Sequence, residues 1–177
     1  MAALPDPALV SIEEYLATSY PDGDREYLDG VVVERSLGTP GHSTLQKILI
    51  GHFLKFEKPL QLALFPECRL RVTETRYRVV LVMMRPFRQT DRVLLDAPFL
   101  IVEVLSPEDS MGAALRRFRD YTETGVPHII LMDPIDRGTF VYSSGDLARR
   151  DITGFDVPER GFLPFDSRAL LAQLDQE

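Results

Sequence analysis

Apolar residues change their spacing several times along this chain, and each change predicts an element. Ser11-Ile-Glu-Glu14 has capping-box spacing, in which Ser11 serves the Glu14 amide and Glu14 reaches back, so a short helix is expected over about 12–19. Pro21-Asp22-Gly23-Asp24 breaks it. Arg25–Leu28 and Val31–Ser36 then flank Asp29-Gly30, a dipeptide suited to the positive φ angles of a tight hairpin turn. After a further break at Thr39-Pro40-Gly41, Leu45, Ile48, Leu49, Phe53 and Phe56 recur every three or four positions. That spacing predicts an amphipathic helix over about 42–57.

From about 60 to 84 the pattern turns to short β-rich runs, Leu60–Phe65, Arg69–Thr73 and Tyr77–Met84, which read as consecutive strands. Pro98–Leu105 is apolar almost throughout, as in a central strand covered on both faces, and Glu103 is its exception. Pro107-Glu-Asp-Ser110 leads into a helix over about 111–124, with Gly125 as a left-handed C-cap, and His128–Met132 follows as a strand. Strand, helix and strand make a βαβ crossover. Two short strands near 139–143 and 147–151 precede a last helix over about 167–174, capped by Asp166 or Ser167. The fold class is α/β (α+β). No repeat or low-complexity linker divides the chain, so its 177 residues are expected to form one domain, with 1–10 as a flexible N-terminus.

Composition adds exclusions. Hydrophobic residues make up 45% and charged residues 27%, as in ordinary globular proteins. The N-terminus lacks a basic segment followed by an apolar one, and no apolar stretch is long enough for a bilayer, so a cytoplasmic protein without a membrane partner is expected. Cys68 is the single cysteine, which rules out an internal disulfide or a zinc cluster and marks it as structural. A net charge of −7 argues against a general nucleic-acid coat protein. It leaves room for a local basic cleft. Arg69, Arg71, Arg76, Arg78, Arg85, Arg88 and Arg92 fall in one stretch and Arg116, Arg117 and Arg119 in another. They either line a phosphate groove or sit on solvated faces.

Glu103 carries the chemistry. A carboxylate in so apolar a strand loses hydration unless it meets a cation, a metal or a hydrogen-bond donor. Strand alternation places Phe99, Ile101, Glu103 and Leu105 on one face, with Glu103 near the C-terminal end, where open α/β sheets bind ligands. Its bland alternative is a buried ion pair, for instance with Arg117. His42 opens the 42–57 helix and has either a site role or a packing role, whereas His52 and His128 read as structural. Asp133-Pro134 reads as a turn device.

The segments Glu26-Tyr-Leu-Asp-Gly30, Thr39-Pro-Gly-His42, Thr75-Arg-Tyr-Arg-Val79, Phe99-Leu-Ile-Val-Glu-Val-Leu-Ser-Pro-Glu-Asp109 and Asp120-Tyr-Thr-Glu-Thr-Gly-Val-Pro-His128 together resemble the bacterial Uma-type "putative restriction endonuclease" family. The similarity runs from about residue 11 to 174. It implies a restriction-endonuclease-like mixed central sheet flanked by helices, of the PD-(D/E)XK superfamily. There an Asp from a Pro-Asp pair and a Glu on the next strand bind Mg²⁺, with Mn²⁺ as a substitute, and a lysine helps position the water that hydrolyses a DNA phosphodiester.

Carried over by position, Glu103 matches the family's Glu and Glu26 an acidic position before the first hairpin. These two are the expected metal ligands and, with Arg117, the expected catalytic set. His42 matches a position beside the cleft, and Arg76, Arg78, Arg116 and Arg117 are expected to contact nucleic acid. The Pro-Asp pair has no counterpart. After Val79 the chain runs directly to Val80-Leu-Val-Met-Met84, a two-residue gap; aligned without a gap, Val80 and Leu81 stand at those positions. Losing two residues keeps the remaining strand positions on their faces. The helix over 111–124 has no lysine, and Arg116 or Arg117 is the nearest cation. Arginine supplies charge and a fork for phosphate but cannot place water as an ammonium does. Glu26, Asp29 or Glu74 are candidates to supply the lost carboxylate.

Two functions follow from the resemblance: a metal-dependent endonuclease with a degenerate site, or an inactive relative that binds DNA or protein. A third, homodimerisation through a sheet edge, has no specific signal.

Overall fold

The computed structural model describes residues 9–21, 25–35, 38–85, 93–107 and 109–176, with backbone alone for 82–85. Helix α1 (Ile12–Ala17) is capped by Ser11, whose hydroxyl accepts from the Glu14 amide at 3.1 Å. Strands β1 (Glu26–Leu28) and β2 (Val31–Val33) form the hairpin, turning at Asp29 (φ 50°) and Gly30 (φ 96°). Helix α2 (Pro40–Phe53) starts earlier than its periodicity suggests, because Thr39 caps the His42 amide and Pro40 fits a first turn that needs no donor. It ends at a 3₁₀ turn, Leu54–Phe56, and the short α3 (Glu57–Leu60) takes Leu60 out of the strand expected there, leaving only β3 (Ala63–Leu64).

Strands β4 (Cys68–Thr73) and β5 (Arg76–Val80) follow, then β6 (Val82–Arg85). The continuous strand expected over Tyr77–Met84 is therefore interrupted at Leu81. On one side of the break the chain pairs within a sheet of order β2-β1-β5-β4; on the other it joins β3 and β7 (Leu100–Val104) in a sheet completed by β8 (His128–Asp133), β9 (Gly138–Ser143) and β10 (Asp146–Arg149), in the order β10-β9-β8-β7-β6-β3. Residues apolar on both faces give no periodic signal of such a change of sheet.

Strand β7 pairs antiparallel with β6 and parallel with β8, and α4 (Met111–Thr124) makes the crossover between the parallel pair. Ser110 caps α4 and Gly125 ends it at φ 94°. The expected βαβ unit is present. A further hairpin, β11 (Gly154–Val157) and β12 (Gly161–Pro164), was not anticipated; its signal is the Pro158-Glu159-Arg160-Gly161 turn, with Glu159 and Gly161 at positive φ. Helix α5 (Ser167–Ala172) is capped by Asp166, while the Ser167 hydroxyl accepts from the Ile152 amide instead.

The large sheet is covered on both faces. Leu100, Val102 and Val104 point into a core with Leu45, Leu49 and Phe53 of α2, Leu163 of β12 and Leu170 of α5. Ile101 points the other way, into a core with Phe118 and Tyr121 of α4, Leu70 of β4 and Val80 of β5. Phe99 departs from its expected face: it precedes the first paired residue of β7 and packs on the α2 side, edge-on to Phe155. A third cluster, Tyr15, Tyr27 and Tyr77, ties α1 to the first hairpin. Residues 1–8 of the expected flexible terminus lie outside the described residues. Val10 is held, its amide donating to Gly30 O at 2.9 Å and its carbonyl accepting from Tyr27 Oη at 2.9 Å.

Phe118 is fully buried between α4 and the sheet. Phe118→Ala is expected to destabilise the fold by about 3–5 kcal/mol, read from the urea unfolding midpoint.

Candidate functional site

The smaller sheet, the start of α2, the β7–α4 connection and α4 border a cleft of about 980 Å³, lined by Glu26, Arg35, His42, Leu81, Asp109 and Arg117 among others. Glu103, 1% exposed, lies behind this lining, within 4.0 Å of Arg35 and Arg117. Strand alternation turns its side chain to the α4 side, where the Tyr121 hydroxyl donates to Oε1 at 2.6 Å. Burial and the neighbouring Glu103 carboxylate push the Tyr121 phenol well above its ordinary pKa, so it stays a donor. Oε2 has no hydrogen-bond partner. Two guanidinium groups flank it, Arg35 Nη2 at 3.9 Å and Arg117 Nε at 4.0 Å. The ion pair with Arg117 considered from the sequence is thus present, at long range, with Arg35 added.

Burial alone would lower the Arg117 pKa; Glu103, Tyr121, Asp109 and Glu26 more than offset it and hold the group above its ordinary value. Arg117 Nη1 lies 3.5 Å from Asp109 Oδ1, and Nε has no hydrogen-bond partner. His42 is buried at the first turn of α2 with Nδ1 unpartnered. Burial and Arg35 lower its pKa, against the pull of Glu103, Asp109 and Glu67, which places the imidazole in the same electrostatic field as Glu103.

Glu26 belongs to a second network. Its Oε2 accepts from Arg78 Nη1 at 2.6 Å, and Arg78 donates from Nε and Nη2 to Asp120 Oδ2 at 2.7 and 2.5 Å. Arg76 bridges Asp120 and Asp29 at 3.3 and 2.8 Å, and Thr75 donates to Asp29 at 2.7 Å. Arg76 and Arg78, expected to meet nucleic acid, line the cleft and at the same time link the first hairpin to α4. Arg116 and Arg119 differ. Both are exposed on α4 at the cleft and have no ion pair among the described residues.

Other expected residues take structural places. Arg69 donates to the carbonyls of Tyr15 and Thr18 at 3.2 and 3.1 Å. His52 meets Pro164 O at 2.7 Å beside Phe53, Phe56 and Phe165, and His128 packs against Phe99 and Phe155. Asp133 Oδ1 accepts from the Ile135 and Asp136 amides, a turn device as read. Cys68 is half-buried in β4. Glu74 is exposed and outside the cleft lining. Arg88 and Arg92 lie outside the described residues, as does the side chain of Arg85. Sequence reasoning missed Arg35 and the roles of Asp109, Asp120 and Tyr121. The last three lie in segments the resemblance singled out, whereas Arg35 has no local signal.

A divalent cation fits these residues poorly. The unpartnered oxygens of Glu103 and Glu26 are what would receive it. Yet among the described residues no three Asp, Glu, His or Cys side chains come together as a metal site. The stretch nearest the expected Asp position is apolar: Val80 joins the core on the α4 side, and Leu81 joins the α2 side and lines the cleft. Arg35 and Arg117 beside Glu103 would repel a dication.

Two outcomes follow. Arg78→Met strands Glu26 as a buried charge, leaves Asp120 only its 3.3 Å pair with Arg76, and should cost about 3–5 kcal/mol in denaturant unfolding. The imidazoles of buried His42 and half-buried His128 are held below the ordinary 6.5, so the unfolded chain takes up protons first as pH falls. Their contribution is complete above about 6.5 and is lost as pH drops through the lowered values. Melting temperature should fall from about pH 7 to about pH 5, and a His42→Gln/His128→Gln chain should show a shallower decline.

Comparison with known proteins gives a consistent frame. The profile of the Uma2 family, described as "Putative restriction endonuclease", matches residues 12–164. The crystal structure of a "putative nuclease belonging to DUF820" from Anabaena variabilis superposes with a TM-score of 0.76 at 20% identity, covering 93% of this chain and 99% of that one. At that identity the likeness establishes the fold, which is restriction-endonuclease-like. The comparison with curated proteins gives no match. No helix among the described residues is long and apolar enough to cross a membrane.

Proposed function

The chain belongs to the Uma2 family, and from that premise we propose that it is a DNA-binding restriction-endonuclease-like protein whose metal-dependent phosphodiester hydrolysis is disabled. One observation carries the second half: the free oxygen of Glu103 faces two guanidinium groups, Arg35 and Arg117, where a metal site needs further carboxylates. Glu103 and Glu26 are the remnants of a Mg²⁺ or Mn²⁺ site. Glu26 is also half-neutralised by Arg78 at 2.6 Å. With Val80 at the end of β5 and Leu81 at the break after it, no carboxylate among the described residues there replaces the family's Asp.

DNA is the partner the family description suggests, and the cleft offers cations for its backbone. Arg116 and Arg119 lie three residues apart on one face of α4, near the cleft mouth. Their guanidinium forks suit phosphate oxygens. A cytoplasmic setting is part of this reading.

The test is nicking of supercoiled plasmid in Mg²⁺ or Mn²⁺, alongside retention of duplex DNA measured by anisotropy. The unmodified chain should retain DNA and nick no faster than Glu103→Gln. Leu81→Asp, or Pro-Asp inserted between Val79 and Val80, should bring on metal-dependent nicking. Arg116→Gln/Arg119→Gln should weaken retention and flatten its salt slope by about 2. Nicking by the unmodified chain that vanishes in Glu103→Gln would refute the disabled site, and absence of retention would refute DNA binding.

A further inference from the structure

Arg117 is an unusual residue for a protein interior. Its side chain is 11% exposed, its Nε has no hydrogen-bond partner, and its contacts to Glu103 and Asp109 are long, at 4.0 and 3.5 Å. Nε faces Glu103 and is closed off, whereas the Nη1 end is held only by the 3.5 Å contact with Asp109, so a better-fitting acceptor there would recover free energy. Neither carboxylate can be that acceptor as placed. Glu103 is fixed by Tyr121 and by its strand. Asp109 is held more lightly, through acceptance from the Ser106 amide at 3.2 Å, in the connection between β7 and α4. It also faces the cleft, where an incoming group could take its place.

Charge balance defines what that group is. Arg35 and Arg117 carry two positive charges, and Glu103 and Asp109 two negative ones. With Asp109 in place these four groups are neutral together and attract neither a dication nor an anion strongly. With Asp109 swung out, one positive charge is left uncompensated. A phosphodiester carries one negative charge and two free oxygens, enough to bond the two terminal nitrogens of Arg117 as a fork from the side where Asp109 now meets Nη1. A phosphate also fits the electrostatics of the spot, since α4 begins at Met111, next to Ser110, and its first turn favours an anion.

We propose that Arg117, with Arg35, forms a subsite for one backbone phosphodiester of a nucleic-acid strand, and that Asp109 is an internal stand-in for that phosphate which must withdraw for binding. The proposal rests on the DNA-binding reading above and adds to it which group the phosphate displaces.

Anisotropy of a fluorescein-labelled ten-nucleotide thymidine strand tests it. Asp109→Asn keeps an acceptor for the Ser106 amide and removes the competing charge, so it should bind about threefold to fivefold more tightly. The salt dependence should stay the same, because Arg117 meets the same phosphate in both chains once Asp109 has withdrawn. Glu123→Gln, which changes net charge equally at an exposed position of α4 on the cleft, should raise affinity less. The gain from Asp109→Asn should disappear in an Arg117→Met background whose circular dichroism is unchanged; if that chain does not fold, Arg117→Lys should reduce the gain instead. Binding by the unmodified chain with no gain in Asp109→Asn, or an equal gain in Glu123→Gln, overturns the stand-in while leaving DNA binding intact. Failure of every chain to bind the strand or duplex DNA overturns both.

Discussion

A carboxylate on a strand covered from both sides is the constraint from which the rest of this site follows. Glu103 sits among Ile101, Val102 and Val104, between two cores, with water excluded. Its ionised form has to be supported from within. Tyr121 supplies one short hydrogen bond, and Arg117 and Arg35 supply charge at about 4 Å. Each such pair gains about 4 kcal/mol of Coulomb attraction at an effective dielectric near 20, before desolvation is subtracted. Helix α4 must lie over β7 to deliver Tyr121 and Arg117, and the first hairpin must end against the cleft to deliver Arg35.

The second network keeps those elements in place. Arg78 joins Glu26 on β1 to Asp120 on α4, and Arg76 extends the link to Asp29 at the hairpin turn. Charges that look from the sequence like a phosphate-binding stretch thus act as fasteners between the smaller sheet and the crossover helix. Among the described residues the cleft cations left for a ligand are few: Arg116 and Arg119 at the mouth, and Arg35 and the under-satisfied Arg117 beside Glu103. A chain with net charge −7 can bind a polyanion only through such a local concentration of positive charge.

Much of the fold was legible because strong local signals agree with the final packing. The βαβ unit could be read from an apolar run, a Ser110 cap and a Gly125 stop, and the first hairpin from Asp29-Gly30. The break at Leu81 was not legible, since a strand buried on both faces has no period to interrupt. The β11–β12 hairpin was passed over despite its turn residues, because its strands are only four residues each. In the site, Glu103 stood out as the lone charge in an apolar strand, and its pairing with Arg117 was open to inference from the following helix. Arg35 was not, because it comes to Glu103 by tertiary folding alone, far away in sequence. Likewise the engagement of Arg76 and Arg78 depends on Asp120, some forty residues further on.

The central claim is that Glu103 now belongs to an arginine-balanced anion rather than to a metal centre. Titration of Mn²⁺ into the unmodified chain, followed by the loss of the free-ion paramagnetic resonance signal, measures this without reference to activity. The account predicts no saturable binding that depends on Glu103, with the unmodified chain and Glu103→Gln giving superimposable curves. A stoichiometric Mn²⁺ site present in the unmodified chain and lost in Glu103→Gln would contradict it.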